Sequence, residues 1–260
     1  MDTATDLSIF VTIHDQNLLL AYEADKKFEA VGANLTYVFV GNGDVSKLKD
    51  NRNVVVARTL GHNIEDHKYL VDFTAWYALV LNNIPTTDYV SLIQYDVSIS
   101  SNFSQLSGSL LREHPAAVLG YVPLEMKNRN FIRQNMGYAP LKKACREVYG
   151  IDIDPILKSH VNWAVDKLWP TTNNVAMHYD TLKDFVRWFT PLALFMGNEK
   201  PVGHAFERAI KLFCILAGRR NIYAPSLLSH YQLNSHETQE FQKDNVKLHK
   251  LLRRNIMSKK

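Results

Sequence analysis

Asp88-Tyr-Val-Ser-Leu-Ile-Gln-Tyr-Asp96-Val-Ser-Ile-Ser100 begins as an apolar run and stops at one carboxylate, Asp96. Val90, Leu92 and Ile93 suit a buried strand. Gln94 and Asp96 do not, because polar and charged groups are costly to bury, unless the strand ends in a ligand site. Just beyond, Asn102-x-x-Gln105 ahead of Leu106 and Leu110 reads as a helix start. Asp96 is therefore expected at the carboxyl end of a central strand, where open α/β sheets take their ligands.

Upstream, three short β-branched and apolar runs read as strands: Leu7 to His14, Leu35 to Gly41 and Asn53 to Thr59. A helical pattern through Leu18, Leu19, Ala21, Tyr22 and Phe28 follows the first of them. After the cap-like Asn63 to Asp66, Leu70, Phe73, Tyr77, Val80 and Leu81 recur at helical spacing and predict an amphipathic helix. Downstream, Ala116 to Val122 reads as a strand, and 123 to 170 as loops and small helices over one edge of the site. A short strand is expected at Asn173 to Tyr179. A helix capped by Asp180 or Thr181 then runs until Pro191 bends or ends it. Another helix starts near Pro201, with Phe206, Ile210, Phe213, Cys214 and Ala217 on its buried side. This alternation predicts a mostly parallel sheet with covered faces. The organisation expected is one domain in two halves, 1–122 and 123–246, with a basic helix at 247–260.

The totals exclude several classes. A chain of 260 residues, 46% hydrophobic and 22% charged, forms its core without disulfides or a structural metal. Cys145 and Cys214 stand far apart in no metal-type spacing, which fits a reducing compartment. Much of the net charge of +4 lies between Lys247 and Lys260, so the main body is not read as binding nucleic acid. The acidic Met-Asp-Thr-Ala-Thr-Asp6 lacks the basic and apolar parts of a signal peptide, and no apolar run reaches the roughly 18 residues of a membrane span. A cytoplasmic protein is expected.

Eight residues carry candidate chemistry. Asp96 could hold Mg²⁺ or Mn²⁺ bridging a diphosphate, or simply cap the helix near Ser101. His230 closes an apolar run and His236 precedes Glu237; an imidazole at either place suits Mn²⁺ better than Mg²⁺. Glu207 lies in the first turns of a helix that is apolar around it. Partial burial of a carboxyl suits a general base, while pairing with Arg208 or Arg146 is the structural alternative. Asp180 is a second base candidate and a helix cap. Lys68, Arg129 and Arg133 could hold phosphates. Gly41-x-Gly43 lacks the third glycine of a dinucleotide fingerprint. A Lys-Ser/Thr phosphate loop, a Gly-x-Ser-x-Gly elbow and a His-Glu-x-x-His pair are all missing.

On these residues the chain resembles a nucleotide-sugar glycosyltransferase of the GT-A type. In that family a central strand ends in an Asp-x-Asp motif that binds a metal and the donor diphosphate. Leu92-Ile-Gln-Tyr-Asp96 matches the apolar lead-in and the second carboxylate, with Gln94 standing where the first Asp usually is. The resemblance implies nucleotide-sugar contacts at His14, Asp66, Asp72, Gln94, Tyr95 and Asp96. It implies Mn²⁺ or Mg²⁺ at Asp96 and His230, and a base at Glu207 for inverting transfer. The implied donor is a nucleoside-diphosphate sugar, most simply a UDP-sugar, and the implied acceptor a glycan hydroxyl.

Two other classes stay open. A sugar nucleotidyltransferase would carry a Gly-x-Gly-Thr-Arg type loop where His14-Asp15-Gln16 stands. A non-catalytic nucleotide- or carbohydrate-binding protein would be consistent with Gln94. The segment from Lys247, with Leu248, Leu251 and Leu252 on one side and cations around them, could make weak peripheral contact with an anionic membrane or pack on its own domain.

Overall fold

The computed structural model describes residues 6–17, 19–20, 28, 34–43, 53–65, 70–125, 137–160, 168–198 and 201–230. Strand β1, Leu7–Ile13, lies inside the main sheet and is buried at every position. Strands β2, Leu35–Phe39, and β3, Val54–Val56, run parallel to it on one side. On the other side lies β4, Tyr89–Gln94, also parallel to β1. Next comes β9, Val175–His178, antiparallel to both β4 and β6, Val118–Gly120. The edge strand β10, Asn221–Tyr223, is parallel to β6. The order is β10-β6-β9-β4-β1-β2-β3, so the sheet is mostly parallel with one reversed strand. Strand β9, from the second half of the chain, is thus hydrogen-bonded inside the sheet of the first half.

Side chains of a strand alternate between faces, and β1 divides its residues accordingly. Phe10 joins an apolar cluster with Phe73, Trp76, Phe185, Phe189 and Phe206. Ile9, Val11 and Ile13 join a second cluster with Phe39, Phe103, Leu111 and Tyr121. The first cluster takes in helices α1, Val71–Leu81, α3, Ala139–Tyr149, α5, Tyr179–Met196, and α6, Pro201–Leu216. The second takes in α2, Phe103–Glu113. Helix α4, Ile153–His160, packs near α3 and α6. Two small antiparallel pairs complete the description: β5, Val97–Ile99, with β11, Leu228–His230, and β7, Pro123–Glu125, with β8, Leu168–Pro170. Among the described residues no helix is long and apolar enough to cross a membrane.

Several expectations change. The stretch 88–100 is two strands, because β4 stops at Gln94 and β5 restarts in a different sheet after a turn at Tyr95-Asp96. Strand β3 is shorter than predicted, with a 3₁₀ turn over Ala57–Thr59. Helix α1 is not amphipathic: Phe73, Thr74, Ala75, Trp76, Ala78 and Leu79 are buried around most of its circumference, since it lies between the sheet and α5. Helix α5 runs through Pro191 to Met196, and buried Phe189, Leu192 and Ala193 hold both sides of that position. Its cap is His178, whose Nδ1 accepts from the Asp180 amide at 3.2 Å, in place of Asp180 or Thr181. The candidates Asp66, Lys68, Arg129, Arg133 and His236, and the segment 247–260, lie outside the described residues.

Gly137 adopts φ of 108° and lies against the first turns of α6. A Cβ there would meet the His204 carbonyl carbon at 2.3 Å. Only glycine permits this approach, which seats the helix carrying Glu207.

Candidate active site

The register of the sheet builds the site. Thr12 pairs with Gln94, so β1 and β4 leave the sheet side by side at their carboxyl ends. There they deliver His14 and Tyr95, whose rings meet edge-on at 5.3 Å. In the small β5–β11 pair His230 is opposite Val97, which sets its imidazole against the neighbouring Asp96. The His230 Nε2 to Asp96 Oδ1 separation is 3.3 Å. Asp72 arrives from the first turn of α1, Glu207 from the second turn of α6, and Thr172 from the turn before β9. Together they line one cleft of about 240 Å³. His14, Asp72, Gln94, Tyr95, Asp96, Glu207 and His230 are therefore neighbours there.

Gln94 is the hub. Its Nε2 donates to Asp72 Oδ2 at 2.7 Å, and its Oε1 lies 3.1 Å from His230 Nε2. Asn173 Nδ2 also donates to Asp72 Oδ2, at 3.0 Å. The Gln94 amide nitrogen donates to Asn174 Oδ1 at 2.8 Å. In the sequence Asn173 and Asn174 read only as strand residues. The signal available was a polar Thr-Thr-Asn-Asn run directly before an apolar strand.

The cleft is electrostatically tense. Burial pushes the Asp72 carboxyl up to about 6, against the two amide donors that favour its ionised form, and Asp96 and Glu207 raise it further. Burial lowers the His230 pKa, and the nearby carboxylates of Asp96 and Glu207 oppose that shift only in part. The imidazole is thus neutral at physiological pH and offers a lone pair. Asp96 Oδ1 and His230 Nδ1 are buried without a hydrogen-bond partner among the described residues; the 3.3 Å approach between the two side chains is not aligned as a hydrogen bond. Leaving buried polar atoms unmatched is expensive, and a polar or charged group bound between these two would relieve that cost.

Asp72 gives a pH test. A carboxyl whose pKa is higher folded than unfolded takes up a proton on folding. Stability is then greatest below the unfolded value and falls as pH rises through about 6. The cost above pH 7 is at most about 3 kcal/mol, discounted because Asp72 keeps partial exposure. Measured against Asp72→Asn, metal-free wild type is expected to gain up to about 1 kcal/mol between pH 7.5 and pH 5, while the opposing loss from His230, whose pKa burial lowers, is common to both proteins and cancels. Urea melts at the two pH values check this.

Glu207 has 22% of its side-chain surface exposed, with Arg208 Nη1 at 3.7 Å and His204 Nδ1 at 3.8 Å. Arg208 is buried, bonded to the His204 carbonyl at 2.6 Å and placed over the Trp169 ring at 5.2 Å. That anchoring fixes the helix turn from which Glu207 reaches the cleft. The other base candidate, Asp180, is 67% exposed, paired with Lys183 at 2.5 Å, and does not line the cleft. Cys145 and Cys214 are free and buried, with burial raising both thiols, so neither serves as a nucleophile.

Among the described residues no three His, Cys, Asp or Glu side chains gather as a metal-ligand group. Asp96 and His230 are two such donors, and the third at hand is the Gln94 amide oxygen. Gln94 Oε1 and Asp96 Oδ1 lie 3.1 and 3.3 Å from His230 Nε2, close enough for the three side chains to face one small cation. The side chains present therefore fit a small divalent cation of the harder kind.

No protein-family model matches the chain, and no curated protein sequence matches it. Solved structures do. The apo structure of the bifunctional glycosyltransferase WbbM superimposes with a TM-score of 0.56 at 13% identity, covering 86% of this chain and 45% of that one. The chain thus spans less than half the length of WbbM. The mannosyltransferase Ktr4p from S. cerevisiae gives TM-scores of 0.47 alone and 0.44 in complex with GDP. The identities are 11% and 10%, over 87% of this chain and 70% and 71% of Ktr4p. The likeness to WbbM defines the fold: a mixed α/β architecture of the kind found in a solved glycosyltransferase.

Proposed function

We propose that the protein is a GT-A type glycosyltransferase that moves a sugar from a nucleoside-diphosphate donor, a UDP-sugar, to a hydroxyl of a glycan. The observation that carries this reading is the meeting of Asp96, His230, Gln94 and Glu207 in one cleft at the carboxyl ends of β1 and β4. The fold shared with WbbM is consistent with it.

Asp96, His230 and the Gln94 oxygen would hold Mn²⁺ or Mg²⁺, which when bound supplies charge neutralisation for a diphosphate leaving group. His14 and Tyr95 form an aromatic wall on the donor side. Asp72 stands ready to accept from a sugar hydroxyl. The Glu207 carboxylate takes the proton of the acceptor hydroxyl as its oxygen bonds to the anomeric carbon. The carbon–oxygen bond to the diphosphate breaks in the same displacement, and the electron pair leaves with the phosphate oxygen. Attack opposite the leaving group inverts the anomeric centre.

Calorimetry with UDP, with and without Mn²⁺, tests the donor reading. Wild type is expected to bind UDP at least tenfold more tightly with Mn²⁺, and Asp96→Asn to lose that gain. UDP binding that ignores Mn²⁺ would sink the metal role. Gln94 favours one second reading, a binding protein without turnover, since it removes one anion from the site. Mn²⁺-dependent hydrolysis of a panel of UDP-sugars separates the two: no hydrolysis with intact binding supports the second.

A further inference from the structure

We infer that Asn173 and Asn174 are positioning residues that lock the Gln94 amide with its oxygen toward Asp96 and His230. This rests on the donor-site reading above. A glutamine amide is nearly symmetrical in shape, so only its neighbours decide which end points where.

Here they leave one solution. Asn174 is fully buried. Its Oδ1 must face the Gln94 backbone N–H, which can only donate, at 2.8 Å. Its Nδ2 must face the Thr172 carbonyl, which can only accept, at 3.0 Å, and also meets Thr172 Oγ1 at 2.7 Å. That orientation brings Nδ2 to 3.5 Å from Gln94 Oε1 and disfavours a nitrogen in that place. From the other end, Asn173 Nδ2 holds Asp72, whose Oδ2 accepts the Gln94 Nε2 hydrogen at 2.7 Å. A reversed amide would set oxygen against oxygen at Asp72 and N–H against N–H at Asn174.

The backbone bears a cost for this arrangement. Thr172 and Asn173 are consecutive non-glycine residues at φ of 59° and 56°. A β-branched residue in the left-handed region is a true outlier, and such strain persists where surrounding contacts over-determine it. The turn aims Asn174 at the β4 terminus and Asn173 at Asp72, the acceptor for Gln94 Nε2. The consequence for specificity is that the position presents a neutral oxygen to a cation, with the Asp72 charge set one bond-length of hydrogen bonding behind it.

The test is a double-substitution cycle read by Mn²⁺-dependent UDP calorimetry. Asn174→Ala in the wild-type background is expected to weaken the Mn²⁺-dependent part of UDP binding about tenfold, leaving metal-free UDP binding unchanged. In a Gln94→Ala background the same substitution is expected to change nothing, because the amide it orients is gone. Asn173→Gly suits the left-handed backbone at that position and removes the donor that holds Asp72 against Gln94 Nε2, so it serves if the alanine variant does not fold. It is expected to show the same loss and the same silence. Equal losses in both backgrounds would mean that Asn174 merely holds the strand end, and would overturn the inference. An unchanged Asn174→Ala would do so too. Wild type without any Mn²⁺-dependent UDP binding would instead remove the donor-site reading, and this inference with it.

Discussion

Glu207→Gln is expected to lower turnover by about a hundred- to ten-thousand-fold, while UDP binding stays within a factor of two. Glutamine keeps the shape of the side chain but cannot take a proton from the acceptor hydroxyl. Glu207 reaches the cleft from a helix turn anchored by buried Arg208, which bonds the His204 carbonyl and covers Trp169. The substitution therefore leaves the surroundings in place. The competing role is structural: Glu207 offsets the charge of Arg208 at 3.7 Å. That role predicts the reverse outcome, lost stability with retained turnover. Measuring kcat, UDP affinity and the urea midpoint on one variant distinguishes them. Turnover within threefold of wild type would remove Glu207 as the base.

The second large effect is on stability. Phe206→Ala is expected to cost about 3–5 kcal/mol, the range for a buried aromatic cut to a methyl group. Phe206 is 1% exposed. Its ring lies 4.8 Å from Trp76, 5.3 Å from Phe189, 5.4 Å from Phe73 and 5.9 Å from Phe185. These rings bind α1, α5 and α6 to one another, so no single neighbour can move in to refill the space. Total stabilities of domains are about 5–15 kcal/mol, so the loss is a large fraction of the whole. A urea midpoint that falls with an unchanged slope would report it. A shift below about 1 kcal/mol would show that the three helices repack freely. Because the next residue is Glu207, activity is expected to fall with stability.

What was legible in the sequence follows from distance along the chain. The strands β1 and β2 and the lead-in to Asp96 are local apolar runs, and local pattern suffices to read them. Glu207 stood out because it interrupts the apolar pattern of α6. The break at Tyr95-Asp96 was not readable, since β5 restarts only because β11, about 130 residues later, pairs with it. The same pairing is what sets His230 against Asp96, a contact no spacing rule contains. The reversal of β9 and the buried circumference of α1 are likewise products of what packs on each side. Asn173 and Asn174 were legible as polar residues but not as partners of Gln94 and Asp72, because side-chain hydrogen bonds across such separations leave no periodic trace.

The reversed strand has a consequence for synthesis. Strand β4 meets β1 early, but its other edge is paired only by residues 175–178. While a ribosome is still making the first two-thirds of the chain, the emerging piece exposes a central, apolar strand with bare amides and carbonyls along one flank. Such an edge recruits other strands. Fragments ending before Val175 are therefore expected to clump on expression, and attempts to split the protein into two separately produced halves to fail unless both are made together.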